Sequence, residues 1–197
     1  MTTIYTGATM SLDGYIAGPG ETGFDHLFQW YENGDVDVPT TDPELTFHLT
    51  EASAAHQQDV MNLFGVLVVG RKLFDMTSGW GGKHTLGLPT VVVTHRGVAD
   101  GFEGNEWFRF VDSIDAAHAA AEELSGGKGI GLNGGTIASQ FLDRGLLDEV
   151  WVDLVPVLLG GGTPFFSHLA NTPVALDGPV SIVEGRAVTH LRYRVRK

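Results

Sequence analysis

Hydrophobic and polar positions along this chain form two kinds of segment: short unbroken apolar runs, and longer stretches with apolar residues at helical spacing. Val66-Leu67-Val68-Val69 and Thr90-Val91-Val92-Val93 are continuous runs, the pattern of strands buried on both faces. The first ends at Gly70-Arg71-Lys72, after which a short helix is expected, and the second at Thr94-His95-Arg96. Residues 3–9 and 107–111 predict further strands, Ile130 and Leu132 a short one, and residues 149–155 another, closed by Pro156. Helical spacing predicts a helix within residues 43–63, with Leu45, Leu49, Ala52, His56, Val60 and Leu63 along one side. An alanine-rich helix is expected from Asp115 to Leu124, stopped by Gly126-Gly127, and a short one from Phe24 to Tyr31. The Asp/Gly/Pro-rich stretch after Tyr31 reads as an exposed excursion. Residues 181–184 and 187–195 predict a hairpin across Gly185-Arg186, with Thr189, Leu191, Tyr193 and Val195 on one face of its last strand and His190, Arg192 and Arg194 on the other. Strands alternating with helices imply one α/β domain over residues 1–197. It should have a mostly parallel sheet, helices on both faces and a C-terminal antiparallel hairpin.

One stretch organises this pattern. Gly129 to Leu142 reads as a strand, the pair Gly134-Gly135, and a helix carrying Ile137, Phe141 and Leu142 at helical spacing until Gly145 ends it. The glycines let the backbone turn where a Cβ would clash, and Thr136 offers an N-cap side chain. A helix start behind glycine presents free N–H groups and a positive dipole end, the setting for a phosphate. The same pattern also describes a tight turn with nothing bound. The spacing matches neither Gly-x-Gly-x-x-Gly nor a Walker loop. A second loop, Met10 to Gly20, carries Leu12, Tyr15 and Ile16, so part of it should be tucked in.

Composition narrows the partners. The formal net charge is −12, which argues against nucleic acid or an anionic membrane as partner. An anionic ligand then needs a local basic cluster, and Arg71-Lys72 and His95-Arg96 are the candidates. The chain has no cysteine, so thiolate nucleophiles and disulfides are excluded. Its eight histidines form no His-Glu-x-x-His set, and His48 and His56 read as helix-surface or boundary residues. The tryptophans read as packing, with Trp80, among glycines, a candidate pocket wall. The apolar runs are too short to span a bilayer and Met1 to Tyr5 lacks a signal-peptide pattern, so a soluble cytoplasmic protein is expected.

Several of these pieces, in order, resemble one family. Ser11-Leu12-Asp13-Gly14-Tyr15-Ile16-Ala17 is similar to the first loop of the riboflavin-biosynthesis reductase domain. Val69-Gly70-Arg71-Lys72-Leu73-Phe74 resembles an element of dihydrofolate reductases, departing at Leu73 where threonine is usual. Asn133-Gly134-Gly135, Leu146 to Val150 and Pro156 to Phe166 resemble the later elements. The resemblance is to the dihydrofolate-reductase-like superfamily, on the branch of the RibD C-terminal reductase domain. It implies a three-layer dihydrofolate-reductase-like fold and an NADPH-dependent reductase of a small heterocyclic molecule, working as a homodimer. Gly134, Gly135, Thr136 and Ile137 would hold the pyrophosphate, with Gly70, Arg71 and Lys72 at a second helix start. Thr94, His95 and Arg96 would take the 2′-phosphate, and Thr9 and Ile16 would border the nicotinamide. The Gly134–Gly135 peptide would be cis. Asp13, and next Asp25, are the candidate proton donors, although Asp13 also suits a turn before Gly14 and Asp25 an N-cap. The alternatives are an NADPH-binding protein without chemistry and a pteridine reductase.

Overall fold

The structure is a computed structural model describing residues 2–197. Its frame is one eight-stranded sheet. The valine-rich runs lie inside the sheet as adjacent strands β5 (Phe64–Gly70) and β6 (Thr90–Val93), with β8 (Gly129–Asn133) and then β1 (Ile4–Ser11) on the far side of β5. β7 (Phe108–Val111) forms one edge. On the other side of β1 come β9 (Glu149–Val155) and the hairpin of β12 (Val188–Val195) with β11 (Leu176–Gly185). From β9 through β1, β8, β5 and β6 to β7 every pairing is parallel, whereas β12 joins β9 and β11 in antiparallel register.

Helices cover both faces. On one, α4 (Ile114–Leu124) and α5 (Thr136–Asp143) bury Ala117, Ala121, Ile137 and Phe141 against Ile4, Val66, Val68, Val91, Ile130, Leu132 and Val150. Ser113 caps α4 by accepting from the Ala116 N–H at 3.3 Å. On the other face, α2 (Glu51–Leu63) packs Val60 and Leu63 near Tyr5, Phe64, Leu67 and Trp151, while α3 (Arg71–Met76) places Phe74 against Val69, Val92 and Phe108. The chain runs outward from β1 to β5, β6 and β7, returns to β8 between β1 and β5, and then crosses to β9. Strand order therefore reverses around β1 and β8, and the crevice at their carboxyl ends is where an open α/β sheet takes a ligand.

The helix expected within residues 43–63 begins only at Glu51. Ahead of it, β3 (Val36–Pro39) and β4 (Thr46–Leu49) form a hairpin where an excursion and a helical turn were expected. Leu45 and Leu49 are four apart, a spacing that suits one helix face and one strand face equally. Tertiary packing decides between them. Leu49 is fully buried with Leu27, Trp30, Val155 and Val188, and a Cβ on Gly34 would come within 1.9 Å of the Leu49 carbonyl carbon. Trp80 packs against Phe108 and His84, inside the aromatic cluster below α3. No helix among the described residues is long and apolar enough to cross a membrane.

Candidate functional site

Beyond β1 the chain makes a tight loop and returns as β2 (Tyr15–Ala17), which pairs antiparallel with β10 (Thr163–Pro164). The Asp13 carboxylate fastens this junction. It accepts from the Ser11 hydroxyl at 2.6 Å and from the N–H groups of Leu159 and Gly160 at 3.1 and 2.7 Å. The Phe165 N–H donates to the Gly14 carbonyl at 3.0 Å, and the Gly135 N–H to the Phe165 carbonyl at 2.7 Å. Both loops are thus tied to the glycine pair. The Ser11 hydroxyl first, and the two backbone donors with it, hold the Asp13 carboxyl below the usual carboxylate range. A carboxylate kept ionised and filled with donors is a fastener, so the structure argues against Asp13 as a proton donor. Asp25 stands exposed in the first turn of α1 (Phe24–Leu27), 3.7 Å from His26, and Gly23 holds the N-cap position.

The expected cofactor residues gather along the carboxyl ends of β5, β6 and β8. A Cβ on Gly134 would lie 3.2 Å from Ile16 Cδ1 and 3.5 Å from Ala8, so the glycine lets the first loop close onto the helix start. Gly135, at φ 78° and ψ −138°, makes the turn and occupies the N-cap of α5 without a side-chain cap. Thr136 is consequently the first helical residue and does not cap. The Gly134–Gly135 peptide is trans, against expectation, the cis bonds among the described residues being Thr172–Pro173 and Gly178–Pro179. With Gly135 at positive φ, a trans peptide completes the turn and avoids the roughly 2.5–4 kcal/mol cost of a non-proline cis bond. Gly70 abuts Ile137, and Thr94 is buried with its hydroxyl accepting from the Arg96 N–H at 3.0 Å. The basic groups are engaged within the chain. Arg71 pairs with Asp75 at 2.6 Å and donates to the Gly97 carbonyl, Arg96 reaches the other Asp75 oxygen, and Lys72 pairs with Glu21. The Arg71 contact above all, and Arg96 with it, lowers the Asp75 pKa. His95 is exposed.

On the α2 face of the sheet, at the same ends of β1 and β9, lies a polar group that reading the sequence did not assemble. Thr9, Asp153 and His190 are cross-strand neighbours on β1, β9 and β12. Asp153 Oδ1 accepts from His190 Nδ1 at 2.6 Å and lies 3.4 Å from His56 Nε2 on α2. Ser53 Oγ meets His190 Nε2 at 2.9 Å and in turn accepts from the Thr50 hydroxyl at 3.1 Å. The Trp30 indole N–H donates to Thr9 at 3.3 Å. Burial would raise the Asp153 pKa, but hydrogen bonds from His190 and His56 outweigh it and hold the carboxyl at about 2. Burial first, then the Asp153 charge, pushes the Tyr31 phenol up. The available signal in the sequence was Asp153 itself, a lone acid inside Val150-Trp151-Val152-Asp153-Leu154-Val155. His56, expected at a helix surface or boundary, is half-buried and turned toward this carboxylate.

The sequence profile of the RibD C-terminal domain matches residues 2–177. The chain belongs to that family. Solved structures agree on the fold. A Shewanella sp. PV-4 protein assigned to riboflavin biosynthesis superposes with a TM-score of 0.70 at 22% identity, covering 100% of both chains. The Thermotoga maritima diaminohydroxyphosphoribosylaminopyrimidine deaminase/5-amino-6-(5-phosphoribosylamino)uracil reductase gives 0.58 at 16% identity, over 99% of this chain and 57% of that one. Enterococcus faecalis dihydrofolate reductase, solved with NADP(H), gives 0.56 at 14% identity, over 99% of this chain and 97% of that one. No curated protein matches the chain. As a RibD C-terminal domain on a dihydrofolate-reductase-like fold, the chain has the expected three layers, with the candidate residues at the carboxyl edge of the sheet.

Proposed function

We propose that this protein is an NADPH-dependent reductase of a small heterocycle, of the pyrimidine kind named for the Thermotoga relative. The observation that carries the reading is the uncapped start of α5. The N–H groups of Thr136 and Ile137 have no partner among the described residues, and they stand behind Gly134-Gly135 at the strand-order reversal. A dinucleotide fits this donor set: Gly134 to Ile137 take the pyrophosphate, Arg71 and Arg96 the 2′-phosphate beside Thr94, and Thr9 and Ile16 border the nicotinamide. Gly70, Lys72 and His95 complete the rim. When bound, the reduced nicotinamide supplies hydride. A binding protein without chemistry would share the cofactor residues, and turnover separates the two.

The test is titration of NADPH and NADH against wild type and Arg96→Ala. Since a charge-assisted hydrogen bond contributes roughly 1.5–3 kcal/mol and the 2′-phosphate must displace Asp75, Arg96→Ala should weaken NADPH about tenfold. NADH should hardly change. Equal losses would make Arg96 structural, and no binding of either cofactor by wild type would end the reading. We also propose a homodimer, supported by Val180 and Ile182 exposed on the edge strand β11. A monomer by sedimentation at micromolar concentration would refute it.

A further inference from the structure

Hydride addition to a C=N or C=O bond leaves a negative heteroatom that needs a proton, and Asp13, tied into the loop junction, is not free to give one. The α2-face group is built differently. Its members stand on four elements: Thr9 on β1, Asp153 on β9, His190 on β12, and Ser53 with His56 on α2. His190 is fully buried, and both its ring nitrogens are engaged. His190 Nδ1–H donates to Asp153, Ser53 Oγ meets Nε2, and the Thr50 hydroxyl donates to Ser53 Oγ. His190 is thereby held at both nitrogens and aims the carboxylate.

His56 differs in two respects. Its side chain is 11% exposed, and its Nδ1 has no hydrogen-bond partner among the described residues, while Nε2 points at Asp153. Its ring stacks on His190 at 4.1 Å between centroids. One imidazole nitrogen on a carboxylate and the other free is the arrangement that stabilises an imidazolium and offers a proton outward. Beside it one position of β1, Gly7, is exposed. Gly7 shares the Thr9 face of β1, and a Cβ there would meet nothing closer than Trp151 Cβ at 3.7 Å. His190 Nδ1 and His56 Nε2 lie 2.6 and 3.4 Å from the same oxygen, Asp153 Oδ1, so the two imidazoles share one carboxylate.

We propose that His56 is the proton donor of the reduction, with Asp153 and His190 as the residues that position it. The proposal rests on the reductase reading. A bound dihydronicotinamide would supply hydride to the substrate carbon, and the π pair of the reduced bond would move to the heteroatom. That atom takes the proton from His56 Nδ1. The Nδ1–H pair stays on the ring, leaving a neutral imidazole with Nε2–H still on Asp153, and solvent restores the charge. The charged and titratable groups facing the ring are Asp153 and His190, with Tyr31 behind Asp153. Trp151 lies between His56 and the Arg192–Glu149 pair, and the α2 neighbours Ser53 and Gln57 are neutral.

The experiment is single-turnover NADPH oxidation with 5-amino-6-(5-phosphoribosylamino)uracil from about pH 5 to about pH 9, alongside NADPH affinity from nicotinamide fluorescence. His56→Gln should bind NADPH as wild type does, react about 10²-fold more slowly or worse near neutral pH, and lose the alkaline fall in rate. Asp153→Asn should slow the reaction and displace that fall. Without turnover, adding the same pyrimidine to protein already saturated with NADP⁺ should shield one further histidine from diethyl pyrocarbonate in wild type and none in His56→Gln. If His56→Gln reacts at the wild-type rate with the same pH limb, the proposal is overturned and the reductase reading stands. If wild type binds NADPH without turnover, or does not bind it, the reductase reading falls and the proposal with it.

Discussion

Two ionised carboxylates stand near the end of β1, and they hold different kinds of structure. Asp13 lies at the surface and fastens one loop to another with four nearby donors or neighbours, Ser11, Leu159, Gly160 and its own turn. Asp153 lies between sheet and helix and holds two imidazoles from separate elements. Water can replace the contacts of the first, whereas the second has exchanged water for protein partners and cannot recover it cheaply. A fastened loop can carry a closing surface, while a buried carboxylate fixes the direction and charge of its neighbours.

The largest expected effect is on the buried side. Asp153→Ala leaves His190 and His56 without their shared acceptor and should cost about 3 kcal/mol in urea unfolding. A loss equal to that of an ordinary surface substitution would erase the contrast. The pH dependence sharpens it. Asp153 titrates at about 2 in the folded chain against 3.8 ordinarily, so its contribution is fully present above about pH 4. It is lost as pH falls from there toward 2, and Asp153→Asn should flatten that part of the stability curve.

On the loop side the sensitive position is a glycine. A Cβ on Gly162, at φ 118°, would come within 2.0 Å of the Ala17 carbonyl oxygen. Gly162→Ala should open the β2–β10 pairing at a cost of about 2 kcal/mol, and weaken NADPH binding through Ile16 and Gly134. Unchanged unfolding and cofactor affinity would show that the two loops are not coupled. Thr50→Ala removes the cap of α2 and the first donor to Ser53, and should cost about 1 kcal/mol by thermal or chemical melting. A reading below a few tenths would mean that the Ser53–His190 contact holds by itself. Asp13→Asn should have the smallest global effect, speeding proteolysis within residues 12–20 and 157–165 while the global midpoint barely moves. A midpoint drop matching Asp153→Ala would break the comparison from the other side.

Most of the sheet was legible because its strands are written as continuous apolar runs. Val66 to Val69 and Val91 to Val93 have nowhere to go but a strand buried on both faces. The glycine pair before α5 was legible for a related reason, since a strand turning directly into a helix needs a residue free at positive φ, and Gly135 supplies it. The β3–β4 hairpin was hidden because Leu45 and Leu49 obey both periods at once. The burial of Leu49 against Trp30 and Val188 depends on residues far along the chain.

The sequence by itself determined the α/β order, the carboxyl-edge placement of Gly70, Thr94 and Gly134, and, through its motifs, membership of the RibD C-terminal family. Each of these follows from neighbours within a few residues, where periodicity and backbone freedom act locally. Only the tertiary structure decided what the charged groups do. It turned Asp13 into a fastener, spent Asp75 on Arg71 and Arg96, and brought His56 and His190 to Asp153 from 97 and 37 positions away. A carboxylate's role is set by which donors reach it through space, and that distance is written in strand register rather than in chain order.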